Sequence, residues 1–100
     1  MKVYPIYLSK LNEKRTVIIG GDHEAERKVG ELLDVDAQIT VISPQLTPNL
    51  KKQVQNGDFH WIQRTWRYGD LDGVYLAIVA EFSGDMNRKI YAEAQEKGVL

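Results

Sequence analysis

Six consecutive residues, Gly20-Gly21-Asp22-His23-Glu24-Ala25, stand where a β-branched run, Thr16-Val17-Ile18-Ile19, gives way to a helical pattern. A glycine turn between strand and helix suits phosphate, because the helix N-terminus presents free N–H groups and the positive end of its dipole. For a dinucleotide the pattern is G-x-G-x-x-G/A. The first Gly makes the tight turn, the second lets backbone approach the pyrophosphate, and the third small residue lets helix pack on strand. Gly20 fits the first role and Ala25 the third, but Asp22 occupies the second.

Aspartate there changes the chemistry. Asp22 is a favoured N-cap that can accept from the N–H groups a phosphate would use, and Glu24 adds a carboxylate in the first turn. At about 5 Å a carboxylate and a phosphate charge repel by roughly 3 kcal/mol at an effective dielectric of 20, on the order of a hundredfold in affinity. Asp also tolerates a left-handed backbone, so the turn can form with or without a ligand. Two readings stay open: a phosphate-binding turn, and a self-capped helix with a structural role. The second strand of such folds usually ends in an acid that grips the adenosine ribose. Val41-Ile42-Ser43-Pro44 offers Ser43, whose hydroxyl can bond a ribose or simply form a turn, while Asp34 and Asp36 read as solvated turn residues.

Other reactive side chains carry less. His23 is a pH-sensitive group beside the turn and reads first as an exposed first-turn histidine. A metal site needs three or more convergent ligands, and no spaced set including His60 appears. Without cysteine there are no disulfides, thiolate nucleophiles or cysteine-held clusters. No Ser/His/Asp or paired-carboxylate constellation emerges from spacing. Trp61, Trp66, Tyr68 and Tyr75 read as core or rim aromatics, Arg64 and Arg67 as a solvated strand end, and Lys51-Lys52 as an exposed helix face. Net charge is -1 and no long block of like charge occurs, so nothing draws in nucleic acid or an anionic membrane. The longest apolar run, Val74 to Ala80, is about a third of a membrane span. Met1 to Leu11 alternates polar and apolar residues, carries Pro5 and lacks a signal peptide's apolar stretch. The expectation is a cytoplasmic protein.

The elements that must hold the turn follow from periodicity. Ala25, Val29, Leu32 and Leu33 form one helical stripe, and Gln38 to Ile42 is a second β-branched strand. Thr47-Pro48 starts a helix, with Leu50 and Val54 on its apolar side and Asn56-Gly57 at its end. Phe59 to Arg64 reads as a third strand, Tyr68 to Gly73 as a loop, and Val74 to Val79 as a fourth strand. Ser83 can cap a last helix that has Asp85 in its first turn, buries Met86, Ile90 and Ala94, and stops at Gly98. Val99-Leu100 looks like the start of a fifth strand, as though the chain were part of a longer protein. Alternating strands and helices imply a parallel sheet covered on both faces: an α/β, Rossmann-like, three-layer fold with strand order 3-2-1-4, cut before or at strand five.

Several segments together resemble one family. Tyr4-Pro5-Ile6-Tyr7-Leu8, Val17-Ile18-Ile19-Gly20-Gly21, Ala25-Glu26-Arg27-Lys28, Leu32-Leu33, Ala37 to Pro44 and Leu46-Thr47-Pro48 are similar to the N-terminal NAD-binding domain of precorrin-2 dehydrogenase. Trp61-Ile62, Tyr68, Asp70-Leu71, Leu76 to Ala80 and Asn87 continue the likeness. The resemblance implies an NAD-dependent enzyme of siroheme synthesis, often also a sirohydrochlorin ferrochelatase, that oxidises precorrin-2 to sirohydrochlorin. It implies phosphate-turn roles for Gly20, Gly21 and Ala25, with Asp22 and His23 at the same turn. Ser43 and Pro44 would lie beside the adenosine, and Ala80 and Asn87 near the cofactor. Arg64 and Arg67 could then face an acidic tetrapyrrole. The family's catalytic aspartate would fall past Leu100, as would its dimer contacts and most tetrapyrrole contacts. The family usually has Gly at position 22, Val at 24 and Ala-Thr-Asp/Asn-Asp where Ala80-Glu81-Phe82-Ser83 stands. The competing reading is therefore a Rossmann relative that has lost its cofactor and serves as a structural or interaction module.

Overall fold

A computed structural model of the chain describes residues 14–80 and 84–100. The N-terminal segment with Pro5, residues Glu81 and Phe82, and the cap expected at Ser83 lie outside the described residues. Strands β1 (Arg15–Ile19), β2 (Gln38–Ile42), β3 (His60–Ile62) and β4 (Leu76–Val79) form one parallel sheet in the order β3-β2-β1-β4. Helix α1 (His23–Leu33) joins β1 to β2, α2 (Pro48–Gln55) joins β2 to β3, and α3 (Gly84–Lys97) follows β4. This is the expected Rossmann-like order, with the first strand inside the sheet.

Alternation along the strands divides the core in two. Ile18, Ile39 and Val41 turn toward Ala25, Val29 and Leu32 of α1 and Leu50 of α2. Val17, Ile19 and Ile42 turn the other way, toward Ile90 of α3 and toward Trp66, Leu71 and Val74. Strands buried on both faces need unbroken apolar runs, which is why β1 and β2 look as they do in sequence. Local chemistry sets the helix ends. Thr47 caps α2 by accepting the Leu50 N–H at 3.2 Å. Gly57 and Gly98 follow α2 and α3 with φ of +81° and +68°, where only glycine escapes a steric penalty. Asn56 stays right-handed. Asp34 and Asp36 are exposed turn residues, as expected, and Asp36 has φ of +55°.

Two strands are shorter than their apolar runs suggest. β3 stops at Ile62 rather than Arg64, because the Arg64 N–H turns back to the Ile62 carbonyl at 2.9 Å. The Arg64 guanidinium then grips Asp70 through two bonds of 2.7 Å, which makes it an anchor of this loop and not a free strand-end cation. β4 begins at Leu76 rather than Val74, since the Val74 N–H closes a turn on Leu71. The Leu100 N–H donates to the Tyr75 carbonyl at 3.0 Å and the Ala77 N–H to the Leu100 carbonyl at 2.9 Å. Leu100 therefore lies alongside β4 in parallel register, where a fifth strand is expected.

Glu93 is the residue the pattern missed. It shares the inner stripe of α3 with Ile90, and its side chain is 0% exposed. One oxygen accepts the Gly69 N–H at 2.9 Å, the Leu71 N–H at 3.1 Å and the Lys97 ammonium. Lys97 also meets Asp72, and these two carboxylates, Asp72 foremost, hold its pKa above the ordinary lysine value. Met86 and Ala94 pack half-buried at the edge of the same layer. Removing a buried acceptor leaves its donors unmet. Glu93→Ala is expected to lower stability by about 3 kcal/mol in urea unfolding, with Glu93→Gln intermediate. A loss below about 0.5 kcal/mol would show that the 68–73 turn does not need this clamp.

Candidate functional site

Strands β1 and β2 end side by side, and the segments that leave them meet above the sheet's carboxyl edge. Gly20 turns the chain with φ of +130°, and its N–H donates to the Ile42 carbonyl at 3.0 Å, extending the ladder by one residue. Gly21 meets the β2–α2 loop. A Cβ placed there would lie 1.9 Å from the Gln45 carbonyl oxygen and 2.7 Å from the Ser43 hydroxyl. The Thr47 N–H also donates to the Gly21 carbonyl at 3.0 Å. The missing side chain at Gly21 thus admits the protein's own loop. Between residues 21–23 and 43–47 opens a cavity of about 410 Å³.

Asp22 caps α1. Its backbone is extended, with φ of -97°, so the left-handed geometry that aspartate tolerates is not used; Gly20 carries the positive φ instead. One carboxylate oxygen accepts the Glu24 N–H at 3.1 Å and the Ala25 N–H at 3.3 Å. These are first-turn donors of the kind a phosphate would use. Glu24, by contrast, is drawn onto Arg27 by two bonds of 2.6 and 2.8 Å. Asp22 is therefore the carboxylate that fills the helix mouth.

The expected site residues divide. Gly21, Asp22, His23, Ser43 and Pro44 line the cavity, Gly20 makes its turn, and Ala25 is wholly buried beneath it. The His23 side chain is 92% exposed, as expected for a first-turn histidine. The Ser43 hydroxyl donates to the Gln45 carbonyl at 2.7 Å, so it shapes the loop. The Ser43 carbonyl accepts the Trp61 indole N–H at 2.8 Å, which gives that aromatic a fixed rim position. Ala80 stands one strand over, buried, with its N–H on the Ile19 carbonyl at 2.8 Å. Asn87 lies on α3 and borders a separate, largely apolar cavity of about 390 Å³ against β4.

Glu26 was not singled out by spacing, because its partner lies 21 residues away. Its carboxylate accepts the Thr47 hydroxyl and lies 3.3 Å from His23 Nδ1. The Thr47 bond is the main cause of a pKa below the ordinary glutamate value; burial opposes it, and the His23 contact adds to it. Among the described residues no group of three His, Asp or Glu could hold a metal. No helix among them is long and apolar enough to cross a membrane.

Comparison with known proteins matches this geometry. The family model described as "Putative NAD(P)-binding" covers residues 7–100. The chain belongs to this NAD(P)-binding family. It is 33% identical over 100 residues to the siroheme synthase of Chromobacterium violaceum and 34% identical over 99 residues to that of Azotobacter vinelandii. It spans 21% of the length of each. The solved structure of SirC, a precorrin-2 dehydrogenase, superposes with a TM-score of 0.82 at 22% identity, over 89% of this chain and 44% of that one. That likeness is one of fold. The resemblance to the siroheme-synthesis family thus extends through the whole chain.

Gly21→Ala is expected to push the 43–47 loop away and lower stability by about 2 kcal/mol, read from the midpoint of urea unfolding; an unchanged midpoint would contradict the close packing. A lowered carboxylate pKa contributes stability above its unfolded value and loses it as pH falls through the folded one. Glu26 should therefore titrate below an ordinary glutamate by carboxyl NMR, and Thr47→Val should move it upward. No movement would mean that Thr47 is not the cause.

Proposed function

We propose that this chain is the NAD-binding part of a cytoplasmic, precorrin-2 dehydrogenase-like protein that oxidises precorrin-2 to sirohydrochlorin, with hydride passing to NAD+ and a proton released. The observation that carries this reading is the Gly20 turn facing a cavity at the carboxyl edge of a parallel 3-2-1-4 sheet, in a chain whose family is NAD(P)-binding. Open α/β sheets bind ligands at that edge. The tetrapyrrole and any self-association would be handled largely by further parts of such a protein.

The residues present fit a dinucleotide at the turn and the adenosine cavity, and oppose it at one point. Gly20 bends the chain and Ala25 lets α1 sit close on β1. Gly21, Asp22 and His23 would flank the diphosphate, and Ser43 and Pro44 would border the adenosine. Ala80 and Asn87 would lie near the rest of the cofactor. When bound, NAD+ supplies the hydride acceptor, while this chain supplies orientation and electrostatics rather than a nucleophile. Among the described residues that line the cavity none is Arg or Lys, as suits NAD rather than its phosphorylated counterpart. The Asp22 carboxylate competes with the diphosphate for the Glu24 and Ala25 N–H groups. Because Asp22 is exposed, solvent and salt reduce the repulsion below the in-place Coulomb figure. Binding should be weak.

That same carboxylate favours a second reading, a family member that has lost the cofactor and acts as a structural or interaction module. Amide NMR during NAD+ titration separates the two. Shifts confined to residues 20–25 and 43–47 are expected, with affinity rising about tenfold or more in Asp22→Gly, since exchanging an Asp cap for Gly costs the helix only a few tenths of a kcal/mol. Absence of shifts in both forms would sink NAD binding. Tight binding by the unsubstituted chain would remove the second reading, and no gain in Asp22→Gly would refute the electrostatic explanation.

A further inference from the structure

We infer that Glu26 is a positioning residue for the nucleotide cavity: through Thr47 it latches the Ser43–Thr47 loop onto helix α1. The inference rests on the NAD-binding reading for its ligand, but the latch stands on bonds within the chain. Glu26 sits one turn into α1 and its side chain is 20% exposed. It does not line the 43–47 cavity, so its effect must pass through another residue.

Glu26 touches two residues that line the cavity, His23 and Thr47; His23 is 92% exposed, so the half-buried Thr47, whose polar groups are all engaged, is the one that fixes the wall. Its hydroxyl oxygen accepts the Leu50 N–H at 3.2 Å, which caps α2. The hydroxyl proton goes to Glu26. The Thr47 N–H goes to the Gly21 carbonyl at 3.0 Å, and the Glu26 N–H to the Asp22 carbonyl at 3.0 Å. These bonds close a ring through residues 21, 22, 26 and 47, tying the glycine turn, the first turn of α1 and the cap of α2 together. An N-cap threonine needs only its acceptor to start a helix. Donation of the proton to a carboxylate of another helix is an addition to that task, and a bond to a charged acceptor is among the stronger kinds.

The latch can be separated from folding. Leu46 is anchored independently, buried in the α1/α2 core, and Ser43 holds the loop's first half through Gln45. Losing Glu26 therefore frees the second half of one cavity wall and leaves the core in place. That wall faces the turn at Gly21 and Asp22, and its position sets the width available to a nucleoside.

The test compares the unsubstituted chain with Glu26→Ala, Glu26→Gln, Thr47→Val and Thr47→Ser, by amide hydrogen exchange and by titration with AMP and NAD+. In Glu26→Ala and Thr47→Val, exchange at Thr47 should quicken about tenfold, the scale of one bond to a charged group, while amides of β1 and β2 hold their rates. AMP affinity should fall several-fold. Thr47→Ser, which keeps the hydroxyl, and Glu26→Gln, which keeps an acceptor, should restore most of both. Unchanged exchange at Thr47, or equal acceleration through the whole chain, would overturn the latch. Unaltered AMP affinity in Glu26→Ala would overturn the positioning role. An unsubstituted chain that bound neither nucleotide would overturn NAD binding, and exchange at Thr47 would still decide for or against the latch.

Discussion

A helix begins with N–H groups that have no partner within it, and something must satisfy them. At α1 the carboxylate of Asp22 does so, reaching the Glu24 and Ala25 N–H groups from the N-cap position. The positive end of the dipole, which in a dinucleotide fold meets a diphosphate, meets an anion built into the chain. This capping lets the glycine turn keep its shape without a ligand. It also makes any bound diphosphate a competitor of the protein itself.

The neighbouring loop answers to the same turn. Gly21 has no side chain, and the Gln45 carbonyl takes the space one would fill. Thr47 then binds the Gly21 carbonyl through its N–H and Glu26 through its hydroxyl. The two walls of the cavity are thus fastened to each other and to α1. The scaffold of the NAD(P)-binding family is intact beneath them, from the parallel ladder of β1 and β2 to Ala25 packed under the turn. The charge that meets the first-turn N–H groups of α1 is that of Asp22, on the ligand-facing surface. Such a separation is physically natural, since burying apolar strands makes the fold while exposed polar groups at strand ends decide what binds.

Features governed by neighbours in sequence were legible before the structure. β2 runs over Gln38–Ile42 and α2 starts after Thr47 because β-branching and capping act locally. The self-capping of Asp22 was legible for the same reason, its partners being two and three residues away. Long-range partners were not. Nothing in spacing pairs Glu26 with Thr47, places Gln45 against Gly21, or buries Glu93 beneath the turn at Gly69 and Leu71. Strand ends suffered likewise: Arg64 looks like the end of a strand until Asp70 draws it into a loop. Ser43 showed its place correctly but not its partner, because a hydroxyl at a strand end can face ligand or loop with equal ease.

The Asp22 carboxylate sits on the N–H groups that a cofactor's diphosphate would use, and the ionic-strength dependence of NAD+ binding decides whether it governs the site. Ordinary phosphate sites lose affinity as salt rises, because attraction is screened. Here the dominant charge near those N–H groups is negative, so NAD+ should bind the unsubstituted chain more tightly, or no less tightly, between about 0.02 M and about 0.5 M salt. The Asp22→Asn form, which keeps a capping oxygen without the charge, should instead weaken over that range. If the unsubstituted chain weakened with salt as steeply as Asp22→Asn, Asp22 would not govern the site.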